Sequence, residues 1–226
     1  MKFSWRTDWP MWAMIAGMFL LAALSWSTAP ERIPMHWGWS GEVDRYGGKA
    51  EGLLAIPLLA LFIYVMMTLL PRVDPGRPNY DQFAGSYLVI RIGVITVMAL
   101  IYGVIHLWIR GHRVSVDTIV PLLVGALLVV VGSVLGKVRP NWFVGVRTPW
   151  TLSSKLSWTK THRLAGWVFV VLGVCLLAAG ASRSRVAFVV ALAVGAAGII
   201  WTFVYSYLVW KGDPNRIPPA GTLPAG

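Results

Sequence analysis

The chain has 226 residues, of which 57% are hydrophobic and only 13% charged, and its mean hydropathy is +0.65. Soluble domains carry about 25% charged residues, so a water-soluble globule and a chain that is disordered as a whole are excluded. A disulfide-rich scaffold is excluded too, because Cys175 is the single cysteine. The net charge of +11 falls in the gaps between apolar runs, the pattern of a membrane protein meeting anionic headgroups rather than of a nucleic-acid binder.

In chain order, six runs free of Asp, Glu, Lys and Arg approach the ~20 residues a helix needs to cross a bilayer. They are Trp9–Thr28, Leu53–Leu70, Ile92–Ile109, Thr118–Gly136, Leu164–Ala181 and Val186–Trp210. Backbone amides in lipid need internal partners, so these runs predict helices. They lack the alternation of barrel strands. The first is too long and too Trp-rich for a signal peptide and predicts a retained helix. Trp5, Trp9 and Trp12 open it and Trp26 closes it, while Trp108 and Trp210 close later runs, as expected of rings at the headgroup boundary.

The expected fold is an all-α integral membrane protein, a six-helix transmembrane bundle. With six spans, one side holds 12 basic residues and the other 7, with Arg91 set apart. The basic excess marks the cytoplasm, so both termini are expected there. The expected organisation is an N-terminal two-span unit over 1–80 with an outer loop at 29–52. A four-span unit follows over 81–210 with a basic cytoplasmic segment at 137–163. A Pro-rich tail over 211–226 is expected to be unstructured.

Two connections are longer than the rest, and long connections in compact proteins are often functional. The first, Ala29–Gly52, carries Glu31, Glu42, Asp44 and Glu51 among turn-forming Pro and Gly. Alternation over Ile33–Trp39 permits a short strand, with Gly41 and Gly47–Gly48 as turns. His36, Glu42 and Asp44 are near enough in sequence to ligate a metal or bind a cationic ligand, although their spacing matches no metal motif and no cofactor is predicted. A plainer reading pairs these carboxylates with Arg32, Arg45 and Lys49.

The second connection, Lys137–Arg163, holds six basic and no acidic residues. Ser153 or Ser154 can cap a helix leading into the fifth span, which puts Trp158 and His162 on one face. Arg139, Arg147 and Arg163 are planar donors suited to phosphate or carboxylate. The plain reading is a basic segment resting on anionic lipid. H-E-x-x-H, P-loop and G-x-S-x-G signatures are absent. Within the spans the polar inventory is short. Arg91 is expected to snorkel to the headgroups, with Asp81 as the alternative partner, and His106 is expected to bond a neighbour.

The residues of these two connections carry a resemblance. IPMHWGWSGEVDRYGGK resembles the domain of unknown function that often opens SdpI-type membrane proteins. GKVRPNWFVGVRTPWTLSSKLSWTKTHRLAGW is similar to the signature region of the SdpI family, through Arg139, Pro140, Asn141, Gly145, Arg147, Thr148, Pro149, Trp150, Thr151, Leu152, Trp158, Thr161, His162 and Arg163. The resemblance implies a multi-pass protein of the bacterial plasma membrane. It implies protection against a secreted membrane-active toxin peptide, and signalling by holding an ArsR-type repressor at the membrane. It carries no catalytic residues.

On this reading the outer residues His36, Trp37, Gly41, Glu42 and Asp44 meet the peptide. The inner set Arg139, Asn141, Arg147, Thr148, Trp150, Trp158, Thr161, His162 and Arg163 meets a cytoplasmic partner or an anion. Partners are the lipid bilayer, the toxin peptide and the repressor, with no direct nucleic-acid contact, and the oligomeric state stays open. One alternative is a membrane enzyme acting on lipid or peptide at the cytoplasmic interface, with His162 as general base. Another is a small transporter, which the apolar spans support little.

Overall fold

The computed structural model of the chain describes residues 5–39 and 41–217. Each apolar run is helical. α1 spans Trp5–Ser25, α2 Lys49–Val73, α3 Ala84–Ile109 and α4 Val116–Leu135. After the four-residue α5, Pro149–Leu152, come α6, Lys155–Ser182, and α7, Arg185–Lys211. The six long helices are each long and apolar enough to cross a membrane.

Several helices run past the apolar stretch because a helix ends where its terminal amides find partners, not where hydrocarbon ends. Ser154 accepts the Ser157 amide at the start of α6, and Ser184 does the same for Ala187 at the start of α7. Lys155 and Arg185 are thereby drawn into first turns. At the other end of α1 the helix begins early enough to include Asp8.

The bundle is apolar outside as well as inside. Leu24, Phe62, Leu100, Val174 and Ile200 are exposed, as lipid-facing side chains are. Lipid tails are as apolar as leucine, so helix association must come from close packing and polar contacts. Both are present. Gly125 and Gly132 of α4 meet Gly166 and Gly173 of α6 backbone to backbone. A Cβ at Gly132 would stand 2.6 Å from the Gly166 carbonyl oxygen, and one at Gly173 2.6 Å from that of Gly125. The glycines recur every seven residues, two helical turns, so they share one face of each helix.

The polar contact joins α1, α2 and α3. Arg91 donates to both Asp8 oxygens, at 3.3 and 2.9 Å, and to Thr68 Oγ1 at 2.8 Å. Tyr64 donates to Asp8 at 2.9 Å. Arg91 is 4% exposed and Asp8 1%. Arg91 therefore does not snorkel, and its partner is Asp8 rather than Asp81: a carboxylate held in the next helix spares the guanidinium the reach to the headgroups. His106, at the far end of α3, lies 3.3 Å from Ser25 Oγ, the neighbour expected of it.

Between α1 and α2 lies an antiparallel hairpin of β1, Arg32–Trp37, and β2, Val43–Gly48. Ile33 pairs with Gly47 and Trp37 with Val43, with an irregularity around His36. Gly41 makes the turn at φ +82. Gly47 and Gly48 end the second strand instead of forming a turn. Ile33, fully buried, packs with Ala22, Ala29, Leu53 and Ile105, and seats the hairpin on the bundle.

At the opposite end a 3-10 turn over Arg77–Phe83 leads into α3. There Tyr80, Phe83, Tyr87, Leu135, Val138 and Trp158 form a second core. The tail is not unstructured from Lys211. Lys211 closes α7, buried Asp213 accepts from Ser154 Oγ, and the Ile217 amide donates to the Ser153 carbonyl. Residues 218–226 lie outside the described residues.

Candidate functional site

The two connections that stand out in the sequence sit at opposite ends of the bundle. The hairpin joins α1 to α2. The Lys137–Arg163 segment sits beside the α2–α3 link: Trp142 donates its amide to Asp74 at 3.0 Å, and Asn79 donates to the Pro140 carbonyl at 2.7 Å.

At the hairpin end a groove of about 580 Å³ opens between the hairpin and the ends of α4, α6 and α7. Trp37, Trp39, Val120, Val124, Leu176 and Phe188 line it, with the Trp39 and Phe188 rings in contact, centroids 5.9 Å apart. His36 and Gly41 also line it, with Asp117, Arg183 and Arg185 as its charged groups. A second, polar hollow of about 270 Å³ adjoins it, lined by Glu42, Tyr46, Arg113 and Ser115, with Trp37, Gly41 and Asp117 shared between the two.

His36 Nδ1 lies 2.7 Å from Asp44 Oδ1, and both side chains are well exposed. Arg45 pairs with Glu51 and Lys49 with Glu31, the internal pairing that a charged loop needs. Among the described residues no three His, Cys, Asp or Glu side chains gather as a metal site. His36, Glu42 and Asp44 are thus not assembled as ligands, and the His36 and Asp44 side chains bond each other.

Asp117, Arg183, Arg185 and Trp39 belong to the groove without having been singled out in the sequence. They come from segments 39, 117 and 183 residues into the chain, and only folding joins them. Arg183 closes α6 in the left-handed region at φ 53. A non-glycine residue there is uncommon, but its backbone angle is not legible from residue type.

At the basic end the signature residues divide sharply. Asn141 is buried and spends its amide on its own loop. Nδ2 donates to the Arg139 and Val144 carbonyls, and Oδ1 accepts the Phe143 and Val144 amides. Thr148 and Thr151 cap α5 reciprocally, each hydroxyl accepting the other's amide. Thr148 also lies 3.2 Å from Ser206 Oγ of α7. Trp158, 1% exposed, donates Nε1 to the Val138 carbonyl.

His162 stacks on Trp158 with ring centroids 4.1 Å apart. Its Nε2 accepts the Val146 amide at 3.0 Å, and Nδ1 lies 2.8 Å from the Trp158 carbonyl. An amide can only donate and a carbonyl only accept, so the ring is neutral with its proton on Nδ1. Both nitrogens are engaged in a fully buried ring, which leaves no free atom for the general-base role. Gly145, at φ +109, lies against this ring: a Cβ there would stand 2.1 Å from Nε2.

Asn141, Thr148, Trp158, Thr161 and His162 are thus buried, whereas Arg139, Arg147 and Arg163 are exposed and Trp150 is half-buried. Arg147 donates to the Trp142 carbonyl at 2.9 Å and keeps its remaining donors outward. Beside it Trp142 and Phe143 are exposed. The chemistry available at this end is an exposed set of guanidinium groups among aromatic rings, suited to phosphate or carboxylate.

Residues 13–61, which take in most of α1, the hairpin and half of α2, match a domain of unknown function, DUF1648. Residues 137–206, from the basic segment to Ser206 in α7, match the SdpI/YfhL protein family. The immunity protein SdpI of Bacillus subtilis (strain 168) is 26% identical over 156 residues, 69% of this chain and 72% of that protein. No solved structure matches. Asp8, Arg91 and Asp117 all lie outside the two matched stretches. Six membrane-crossing helices and this likeness make the chain a multi-pass bacterial membrane protein. The chain is thus similar to the SdpI/YfhL protein family over the basic segment, α6 and most of α7, with the DUF1648 match ahead of them.

Proposed function

We propose that this protein protects the membrane of its cell against a secreted, membrane-active peptide, and that the groove at the hairpin end receives the peptide. The observation that carries this reading is the groove itself. It is an apolar cleft of about 580 Å³ lined by Trp37 and Trp39 of the hairpin end, with Asp117, Arg183 and Arg185 as its charged groups. A peptide that partitions into membranes offers the apolar surface such a cleft can bury, at about 25 cal/mol per Å². The likeness to an immunity protein supports the same reading.

The orientation follows from the basic count: both termini and the Lys137–Arg163 segment face the cytoplasm, and the hairpin faces outward. At the cytoplasmic end, Arg139, Arg147, Arg163 and Trp150 are the residues on offer to a repressor or another anionic partner. The buried residues of the signature hold that surface in shape. A peptide bound outside alters this surface only if it binds one arrangement of the bundle better than another.

The test is peptide challenge of a sensitive bacterium expressing the chain, with a dye reporting membrane potential. Wild type keeps its potential. Val120→Trp, which fills the groove, and His36→Ala, which frees Asp44 and opens the wall, lose most of the protection at equal membrane abundance. Full protection in both variants overturns the reading.

A further inference from the structure

The groove at the hairpin end leaves one carboxylate unanswered. Asp117 opens α4, is exposed, and among the described residues has no hydrogen bond or ion pair. Its neighbours on the hairpin are engaged: Asp44 with His36, Glu51 with Arg45 and Glu31 with Lys49. Asp117 stands where the apolar groove meets the polar hollow and lines both. Gly41, which makes the hairpin turn, faces it, and a Cβ there would lie in ordinary contact with its Cγ at 3.4 Å. An occupant following this surface is apolar along the Trp37–Phe188 stretch, meets the Asp117 carboxylate, and then enters the polar hollow lined by Glu42, Tyr46, Arg113 and Ser115.

We infer that the groove takes an apolar peptide segment bearing a basic group, a lysine side chain or a free amino terminus, and that this group pairs with Asp117. The inference rests on the groove being the peptide site. Charge complementarity carries it: an ammonium on Asp117 satisfies a carboxylate that the fold leaves unpaired. A purely apolar or acidic segment leaves it desolvated and unmatched. Arg183, also unpaired among the described residues, lines the same groove from the α6–α7 turn. Its positive charge and that of Arg185, at the start of α7, make the α6–α7 end of the groove basic and disfavour the reverse placement, with the cation at that end.

The experiment uses the full chain in nanodiscs of zwitterionic lipid. The probes are two dye-labelled apolar peptides of about 20 residues that differ only in a Lys or a Glu near one end. Binding is read by anisotropy. The Lys peptide is expected to bind wild type about tenfold more tightly than the Glu peptide. Asp117→Asn, an exposed and nearly isosteric change, removes the difference, and Asp117→Lys inverts it. Equal binding of the two peptides, unchanged in both variants, overturns the inference and leaves the groove standing as a peptide site. Binding of neither peptide to wild type, or equal binding to wild type and Val120→Trp, overturns the groove reading and the inference with it.

Discussion

Asp8 and Arg91 show what a single residue decides in this bundle. Each is buried, each is the other's partner, and Tyr64 and Thr68 complete the set. Removing one member strands the other charge away from water, at a cost of about 3–5 kcal/mol. Arg91→Met is therefore expected to lower the melting temperature in detergent sharply. Asp8→Leu combined with Arg91→Met is expected to recover most of the loss, because an apolar pair of similar size needs no partner. A double variant as unstable as the single one would contradict this. Gly145 is the second decisive residue. Alanine there meets the His162 ring and a left-handed backbone at once, so Gly145→Ala is expected to cost about 2 kcal/mol or more. His162→Ala in the same background is expected to relieve part of that cost.

How much of this was legible from residue types depends on the range of the interaction. The cap could be narrowed to Ser153 or Ser154 because capping spans three residues, and Trp158 and His162 could be put on one face because they are one helical turn apart, though their stacking could not be read. Arg91 could not be matched to Asp8, 83 residues away, because neither residue carries a local sign of the other. Asn141, Thr148, Trp158, Thr161 and His162 read as partner-binding groups because polar and aromatic types suit recognition. They also suit the internal bonding of a turn-rich loop, and only burial distinguishes the two uses.

Among the elements, the α4–α6 seam is the closest contact. Gly132→Val would push its side chain against the Gly166 carbonyl, and a cost of about 1–3 kcal/mol is expected, visible as a lower detergent melting temperature. Gly103, whose added Cβ would meet nothing within 4 Å, serves as the control: Gly103→Ala is expected to be neutral or slightly stabilising. The six helices were legible because apolar length and charge gaps are compositional signals. β2 was not, since Val43–Gly48 is polar and glycine-rich and becomes a strand only by pairing with β1.

The junction of α6 with the segment after α7 has a pH signature. Asp213 is held below the ordinary carboxylate range, first by the Ser154 hydroxyl and then by the Asn215 amide. A lowered value in the folded state means that this stabilisation is present above the unfolded value and is lost as pH falls through the folded one. The melting temperature of wild type is expected to exceed that of Asp213→Asn at neutral pH. The gap should close as pH falls below about 4. A gap that widens on acidification would show the sign to be wrong.

At the scale of the molecule, the hairpin and the basic segment occupy opposite ends of one bundle, and the proposed orientation assigns them opposite sides of the membrane. With Cys175 replaced by alanine, a cysteine at position 111 is expected to react with a membrane-impermeant maleimide in intact cells. One at position 137 is expected to react only after permeabilisation. The reverse pattern would invert the topology and with it the assignment of the groove. The groove itself had no signature in the sequence. It exists because the α3–α4 turn, the α6–α7 turn and the hairpin meet at one end, and its residues acquire a common role only there.

The Asp8–Arg91 pair also places a demand on biosynthesis. Asp8 leaves the ribosome 83 residues before its partner. At about 5–20 residues per second, it waits about 4–17 s for Arg91 to appear. During that interval the carboxylate lacks the buried guanidinium that it pairs with in the folded bundle. α1 therefore completes its buried polar contact only once α3 has been made, so an early helix of the bundle is finished late.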